Sequence, residues 1–301
     1  MRDTFVETLI EEGKRDPRVF LITGDLGFGV LEKFEKALPK QYINAGVAEQ
    51  TMLGLAAGMA STGKRVFVYS IGNFPTVRAL EQIRNDVCYM NNSVVIVSVG
   101  AGYSYGSQGY THHALEDIAV MRALPSMEVI TPADPFETVE LTRYLVQSNK
   151  PSYLRLGRSG EKQINMSAPI LKIGELNTLL HGRDGSLLFT GAIGTLVMQA
   201  REVLKKKGKE VGVYSVPFLS HLRASEIESI AEIGPIVTVE EHSVRGGLGA
   251  AILELASVNH IKADIRIIGV SQHNLAEIGD QNFLRASNGL TVENIVARFE
   301  L

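Results

Sequence analysis

Short runs rich in valine and isoleucine alternate with longer stretches of helical period, and this alternation restricts the fold of the chain more than any other feature. Strand-length runs occupy residues 18–23, 65–70, 94–99, 127–130 and 152–156. Helical patterns at 4–14, 48–61, 76–89, 115–124 and 135–147 separate them. Strands joined through helices are parallel strands with crossover connections, which makes an α/β layer fold. From residue 159 the pattern loosens into Gly160, Lys162, Gln163, Asn165, Ser167 and Pro169, which reads as a linker. A second set follows, with strands at 186–190, 210–215, 236–239 and 264–268 and helices at 196–206, 224–232, 247–257 and 291–299. The expectation is two doubly wound α/β domains, 1–160 and 185–301, each a mostly parallel sheet flanked by helices, with a linker at 161–184.

A chain of 301 residues with 45% apolar content can bury two cores. A net charge of −3 gives no electrostatic reason to expect nucleic acid or an anionic membrane as partner. The longest apolar runs are far below the ~20 residues of a membrane span. Cys88 is the one cysteine, so no intrachain disulfide forms, and a reducing cytoplasm is the expected setting. Its helical, partly apolar surroundings assign it to the core rather than to nucleophilic chemistry.

One segment places a carboxylate where charge is hard to keep. Glu49 follows Tyr42-Ile43-Asn44-Ala45-Gly46-Val47-Ala48 and opens the small, apolar stretch 51–60. It begins a tightly packed helix, whose N-terminus favours a charged carboxylate while burial disfavours it. Downstream come Gly72-Asn73-Phe74-Pro75, then the loop 100–113 ending Gln108-Gly109-Tyr110-Thr111-His112-His113, then Leu115-Glu116-Asp117-Ile118-Ala119 and Pro132-Ala133-Asp134. Near the other end stands Glu240-Glu241-His242-Ser243-Val244-Arg245-Gly246-Gly247-Leu248-Gly249. Gly24-Asp25-Leu26-Gly27-Phe28-Gly29 follows a strand but matches neither GxGxxG opening a helix nor GxxxxGK[ST], so a nucleotide loop is not supported.

Taken in order, these segments resemble the C-terminal half of the transketolases, thiamine diphosphate enzymes that move two-carbon ketol units. The resemblance covers nearly the whole chain. It implies that Glu49 is the glutamate that hydrogen-bonds the pyrimidine ring of the cofactor and promotes the tautomer that removes the C2 proton. It implies an aromatic wall from Phe74, with Tyr69 as a second wall; ordinary core packing is the other reading of Phe74. His112 matches the loop residue that reaches cofactor and substrate hydroxyls, with His113 beside it, and imidazole there shuttles protons or donates to an oxyanion. Arg158 falls where the family keeps a phosphate-binding arginine, or else makes a linker salt bridge. Asp25 stands at a cofactor-side position. His242, Asp280 and Gln281 belong to a domain that lies away from the cofactor in the family, and are expected to serve fold and assembly.

Two departures shape the expected function. The Gly-Asp-Gly motif with a following Asn, which holds Mg²⁺ and diphosphate in the family, is not supplied by Gly24-Asp25-Leu26, so no metal ligands are assigned to this chain. A split enzyme is implied: the Mg²⁺ site comes from an N-terminal diphosphate-binding partner chain, and two copies of each chain form an α₂β₂ heterotetramer. The face Gly54, Ala57, Gly58 and Ser61 suits a close contact between copies, or intradomain packing. The second departure concerns the sugar channel. Gln108 stands for the acceptor-binding Asp, Gly100 for a histidine, and Gly29 for a serine. A modified, branched or unphosphorylated sugar then competes with the usual sugar phosphates as substrate. The alternatives are other two-carbon thiamine chemistry, as in the β chain of a 2-oxo acid dehydrogenase or a deoxyxylulose phosphate synthase, and a non-catalytic paralogue.

Overall fold

The computed structural model describes residues 1–271 and 276–301. Among the described residues, eleven strands form two sheets. The first contains β1 (Val19–Thr23), β2 (Tyr42–Asn44), β3 (Arg65–Ile71), β4 (Val94–Val99), β5 (Glu128–Ile130) and β6 (Ser152–Leu156), in the spatial order β2-β1-β3-β4-β6-β5. All its pairings are parallel, for example Ile22 with Ile43 on one side and Val68 on the other. The second sheet contains β7 (Asn177–Leu180), β8 (Ser186–Thr190), β9 (Gly212–Ser215), β10 (Ile236–Ser243) and β11 (Ile265–Val270), in the order β11-β10-β8-β9-β7. Of the described strands in this sheet, only β7 runs antiparallel to its neighbour. The expected architecture of two mostly parallel α/β sheets is the one observed.

Strand β3 shows how sequence period becomes packing. Val66 and Val68 face the helix Glu49–Ser61 and join a core with Met52, Leu53 and Ala56. The alternate residues Phe67 and Tyr69 face the other way, against Phe5 of the helix Arg2–Arg15, at ring separations of 6.1 and 6.4 Å. Successive side chains on a strand point to opposite faces, so neither assignment can be exchanged without a register slip.

Several elements depart from expectation. Residues 161–184 hold β7, and the stretch before it is tied down by Asp134, whose carboxylate accepts N–H bonds from Ile164 (3.0 Å) and Asn165 (2.8 Å). The stretch 76–89 is not one helix. It is a 3₁₀ turn Val77–Ala79, an α-helical turn Leu80–Gln82 and a π-helical segment Ile83–Tyr89, a widened geometry that is rare in regular helices. Strand β2 and the helix Glu32–Ala37 are too short to stand out by period.

The two sheets share a buried polar seam. Asp117 and Arg155 are both buried and pair at 2.7 Å. Arg155 also donates to the carbonyls of Ala114 (2.7 Å) and Glu241 (3.1 Å), so one guanidinium joins the loop after β4 to strand β10. Losing either partner would leave an uncompensated buried charge. No described helix is long and apolar enough to cross a membrane.

Candidate active site

Glu49, Phe74, Tyr105, His112 and Arg158 all stand beyond the carboxyl ends of strands: after β2, after β3, two in the loop after β4, and after β6. In open parallel sheets this end gathers ligands, above all where the strand order reverses, here between β1 and β3. Glu49 is the first residue of its helix and is 4% exposed. Its entry is fixed by Asn44, whose side-chain oxygen accepts the N–H groups of Asp25 and Gly46, both at 3.0 Å.

Sequence reasoning missed the residue that meets Glu49. Nη1 of Arg78 donates to both Glu49 carboxylate oxygens at 3.0 Å, and the guanidinium carbon lies 4.5 Å from the centroid of the Phe74 ring. Phe74 in turn meets His112 edge-on, with centroids 5.1 Å apart. His112 is held by Thr111, whose hydroxyl lies 3.0 Å from Nδ1. Desolvation, with a smaller push from His113, lowers the His112 pKa below the ordinary imidazole value, so the neutral ring prevails at neutral pH. The 3₁₀ turn at Val77–Ala79 is what aims Arg78 back at Glu49, and turn chemistry of this kind leaves no periodic signal.

The second domain holds the loop that carries His112. Glu241 is buried, and its carboxylate accepts the N–H of Tyr103 (2.8 Å), the amide of Gln281 (3.0 and 3.1 Å) and the guanidinium of Arg285. A Cβ at Gly102 would stand 2.5 Å from Cγ of Glu241, and Gly102 has φ +60°, so glycine is required there. Gln281, expected to serve fold and assembly, here joins Glu241 in holding the site loop. Asp280 caps the next helix through the N–H of Phe283 (2.9 Å).

The other residues singled out in the sequence take varied places. Tyr69 lies on the core face of β3 against Phe5, away from Glu49, because it shares parity with Phe67. His113 is buried against Tyr103, with its Nε2 3.1 Å from the Gly106 carbonyl, and so shapes the loop from inside. Gln108 is exposed in the turn Gly106–Gln108. Asp25 is exposed, has φ +57° and accepts a hydrogen bond from Asn44 at 3.0 Å. Arg158 lies over the Tyr105 ring, 5.1 Å from its centroid. Cys88 is buried, and desolvation pushes its thiol up to about 11, which keeps it protonated and inert. His242 is buried among Asp117, Arg155 and Glu240 in the seam between domains. Among the described residues, no three His, Cys, Asp or Glu side chains are grouped to hold a metal ion.

Residues 1–161 match the family model of the transketolase pyrimidine-binding domain, and residues 174–295 match that of the transketolase C-terminal domain. The chain belongs to the transketolase family. It is 37% identical over 297 residues to one of the subunits of apulose-4-phosphate transketolase from Phocaeicola vulgatus, covering 98% of this chain and 94% of that one. It is 30% identical to a subunit of the 6-deoxy-6-sulfo-D-fructose transketolase from a Clostridium species, covering 98% and 92%. A solved structure described as a split gene transketolase, inactive beta4 tetramer, superposes with a TM-score of 0.91 at 31% identity, covering 99% of this chain and 96% of that one.

As a transketolase-family member the chain calls for thiamine diphosphate, and its residues fit the pyrimidine end of that cofactor. The guanidinium of Arg78 is itself a flat N–H donor lying between a buried carboxylate and an aromatic face. An aminopyrimidine needs the same two contacts, an acceptor in its plane and an apolar wall against its face. Glu49 and Phe74 would hold it, with His112 at the edge of the wall.

Proposed function

We propose that this chain is the C-terminal subunit of a split, thiamine diphosphate-dependent transketolase that moves a two-carbon ketol unit from a ketose to an aldehyde. The reading is carried by the run of contacts from buried Glu49 through Arg78 to Phe74 and on to His112. When bound, the cofactor supplies a nucleophilic thiazolium carbon. Glu49 holds a proton at the pyrimidine ring nitrogen, in a buried setting that strengthens the hydrogen bond. Phe74 orients the ring and keeps water from one face. Neutral His112 accepts or returns the proton of a substrate hydroxyl and donates to oxygen as charge develops there.

In this reading Mg²⁺ and the diphosphate are bound by an N-terminal partner subunit, and two copies of each chain build two equivalent sites in an α₂β₂ assembly. Gly54, Gly58 and Ser61 are exposed, and the space beside Gly54 and Gly58 is open, which supports a close contact with a second copy. Relatives named for apulose 4-phosphate and a sulfonated fructose support a modified, anionic ketose as donor. The single, buried thiol suits a reducing cytoplasm.

The test is to purify the chain with and without its diphosphate-binding partner and screen ketose donors for two-carbon transfer. The complex should turn over while the isolated chain does not. Turnover by the isolated chain would overturn the split arrangement, and decarboxylation of a 2-oxo acid without ketol transfer would overturn the reaction.

A further inference from the structure

A row of flat groups crosses the site: Arg78 over Phe74, Phe74 against His112, His112 toward Tyr105 at 6.5 Å, and Arg158 over Tyr105 at 5.1 Å. Tyr105 has no part in the chemistry assigned above, and it separates the reacting end from the distal cation. Its ring lies directly over Gly100. A Cβ at Gly100 would come within 2.3 Å of Cδ2 and Cε2 of Tyr105, a distance no real side chain tolerates, and φ of Gly100 is +98°. The ring therefore takes the volume that any side chain at position 100 would need. Its backbone is pinned on both sides: Ser104 donates to the Ala101 carbonyl at 2.7 Å, and the Tyr105 carbonyl accepts the N–H of Gln108 at 2.9 Å. Beyond Arg158 opens a cleft of about 700 Å³ between the domains, lined in part by Ser104, Ser107, Lys162, Gln281 and Arg285.

We propose that Tyr105 is the specificity-determining residue of the donor channel. Its ring replaces the side chain absent at position 100 and holds the Arg158 guanidinium at a fixed reach from His112, which selects a ketose with an anionic group on its distal carbon. The cation on the ring face is the positioning contact. A guanidinium fixed in place loses less freedom when it grips a phosphate or sulfonate than a free one would. The proposal rests on the ketol-transfer reading, and its test separates the two.

In the complex with the partner subunit, kcat and KM are measured with D-fructose 6-phosphate and with D-fructose as donors. Tyr105→Ala should lower the preference for the phosphorylated donor at least ~10-fold, mainly through KM, because Arg158 is released. Tyr105→Phe keeps the ring and should hold the preference within about 2-fold. In parallel, the isolated chains are treated with phenylglyoxal, and the modification of Arg158 is followed by peptide mass spectrometry. Tyr105→Ala should react several-fold faster at Arg158 than the parent chain, and Tyr105→Phe at the same rate. An unchanged donor preference in an active Tyr105→Ala complex overturns the proposal. So does an unchanged Arg158 reactivity, even where the parent complex transfers no ketol unit and the functional reading fails by itself.

Discussion

Nη1 of Arg78 lies 3.0 Å from each carboxylate oxygen of Glu49, and this one cation is the described partner of a carboxylate only 4% exposed. A buried carboxylate left alone is costly, and Arg78 supplies the charge that offsets it. About half of the Arg78 side chain, 49%, is open to water, which repays part of the loss when the pair is broken. Arg78→Met should therefore destabilise the chain by about 1–2 kcal/mol, less than a fully buried pair would cost. A double-mutant cycle with Glu49→Gln, read by urea unfolding, should return a coupling of roughly 1 kcal/mol. A coupling of zero would reduce the contact to a surface ion pair.

Glu49→Gln in the complex keeps the shape of the side chain but removes its carboxyl proton. Exchange of the cofactor C2 proton, followed by NMR after rapid quenching, should slow by ~10²–10⁴-fold, the range for a lost acid–base group. Cofactor affinity should change far less. An unchanged exchange rate would make Glu49 a structural residue.

His242 gives the seam between the domains a pH dependence. Burial lowers its pKa to about 4, against a pull upward from Asp117, so it is neutral in the folded chain. A depressed folded pKa means that its stability contribution is complete above the unfolded value of ~6.5 and is lost as pH falls toward 4, by up to about 3 kcal/mol. The neighbouring Glu240, 3.8 Å away and pushed up to about 7 by burial, acts in the opposite sense. Its contribution is complete below the unfolded carboxyl value and is lost as pH rises through about 7. The two offset each other, so the parent chain should change little between pH 6.5 and 4.5. His242→Gln should unmask the Glu240 slope and gain stability as pH falls over that range. Parallel pH profiles of parent and variant, measured by urea unfolding, would rule this out.

The strip of Gly54, Gly58 and Ser61 predicts how copies meet. Light scattering of the mixed subunits should report four chains per particle. Gly58→Leu should weaken that assembly while leaving the unfolding of the isolated chain nearly unchanged, since nothing within 4 Å meets a Cβ there. A fully active one-to-one complex would count against the tetramer.

The sequence by itself determined the layer fold, because valine-rich runs and helical periods are local signals that survive without a partner. It also marked Glu49, Phe74 and His112, since each belongs to a short motif of fixed spacing. The tertiary structure alone decided the side of the sheet on which Tyr69 lies, a matter of strand parity read against Phe5 and Phe67. It also decided that His113 turns inward while His112 meets Phe74. Arg78 and Tyr105 stayed hidden in the sequence because each acts through a turn that brings it to residues far along the chain. Glu241 was hidden for a related reason: it reaches across 138 residues to the N–H of Tyr103, and no local pattern records a contact closed only when two separate sheets dock.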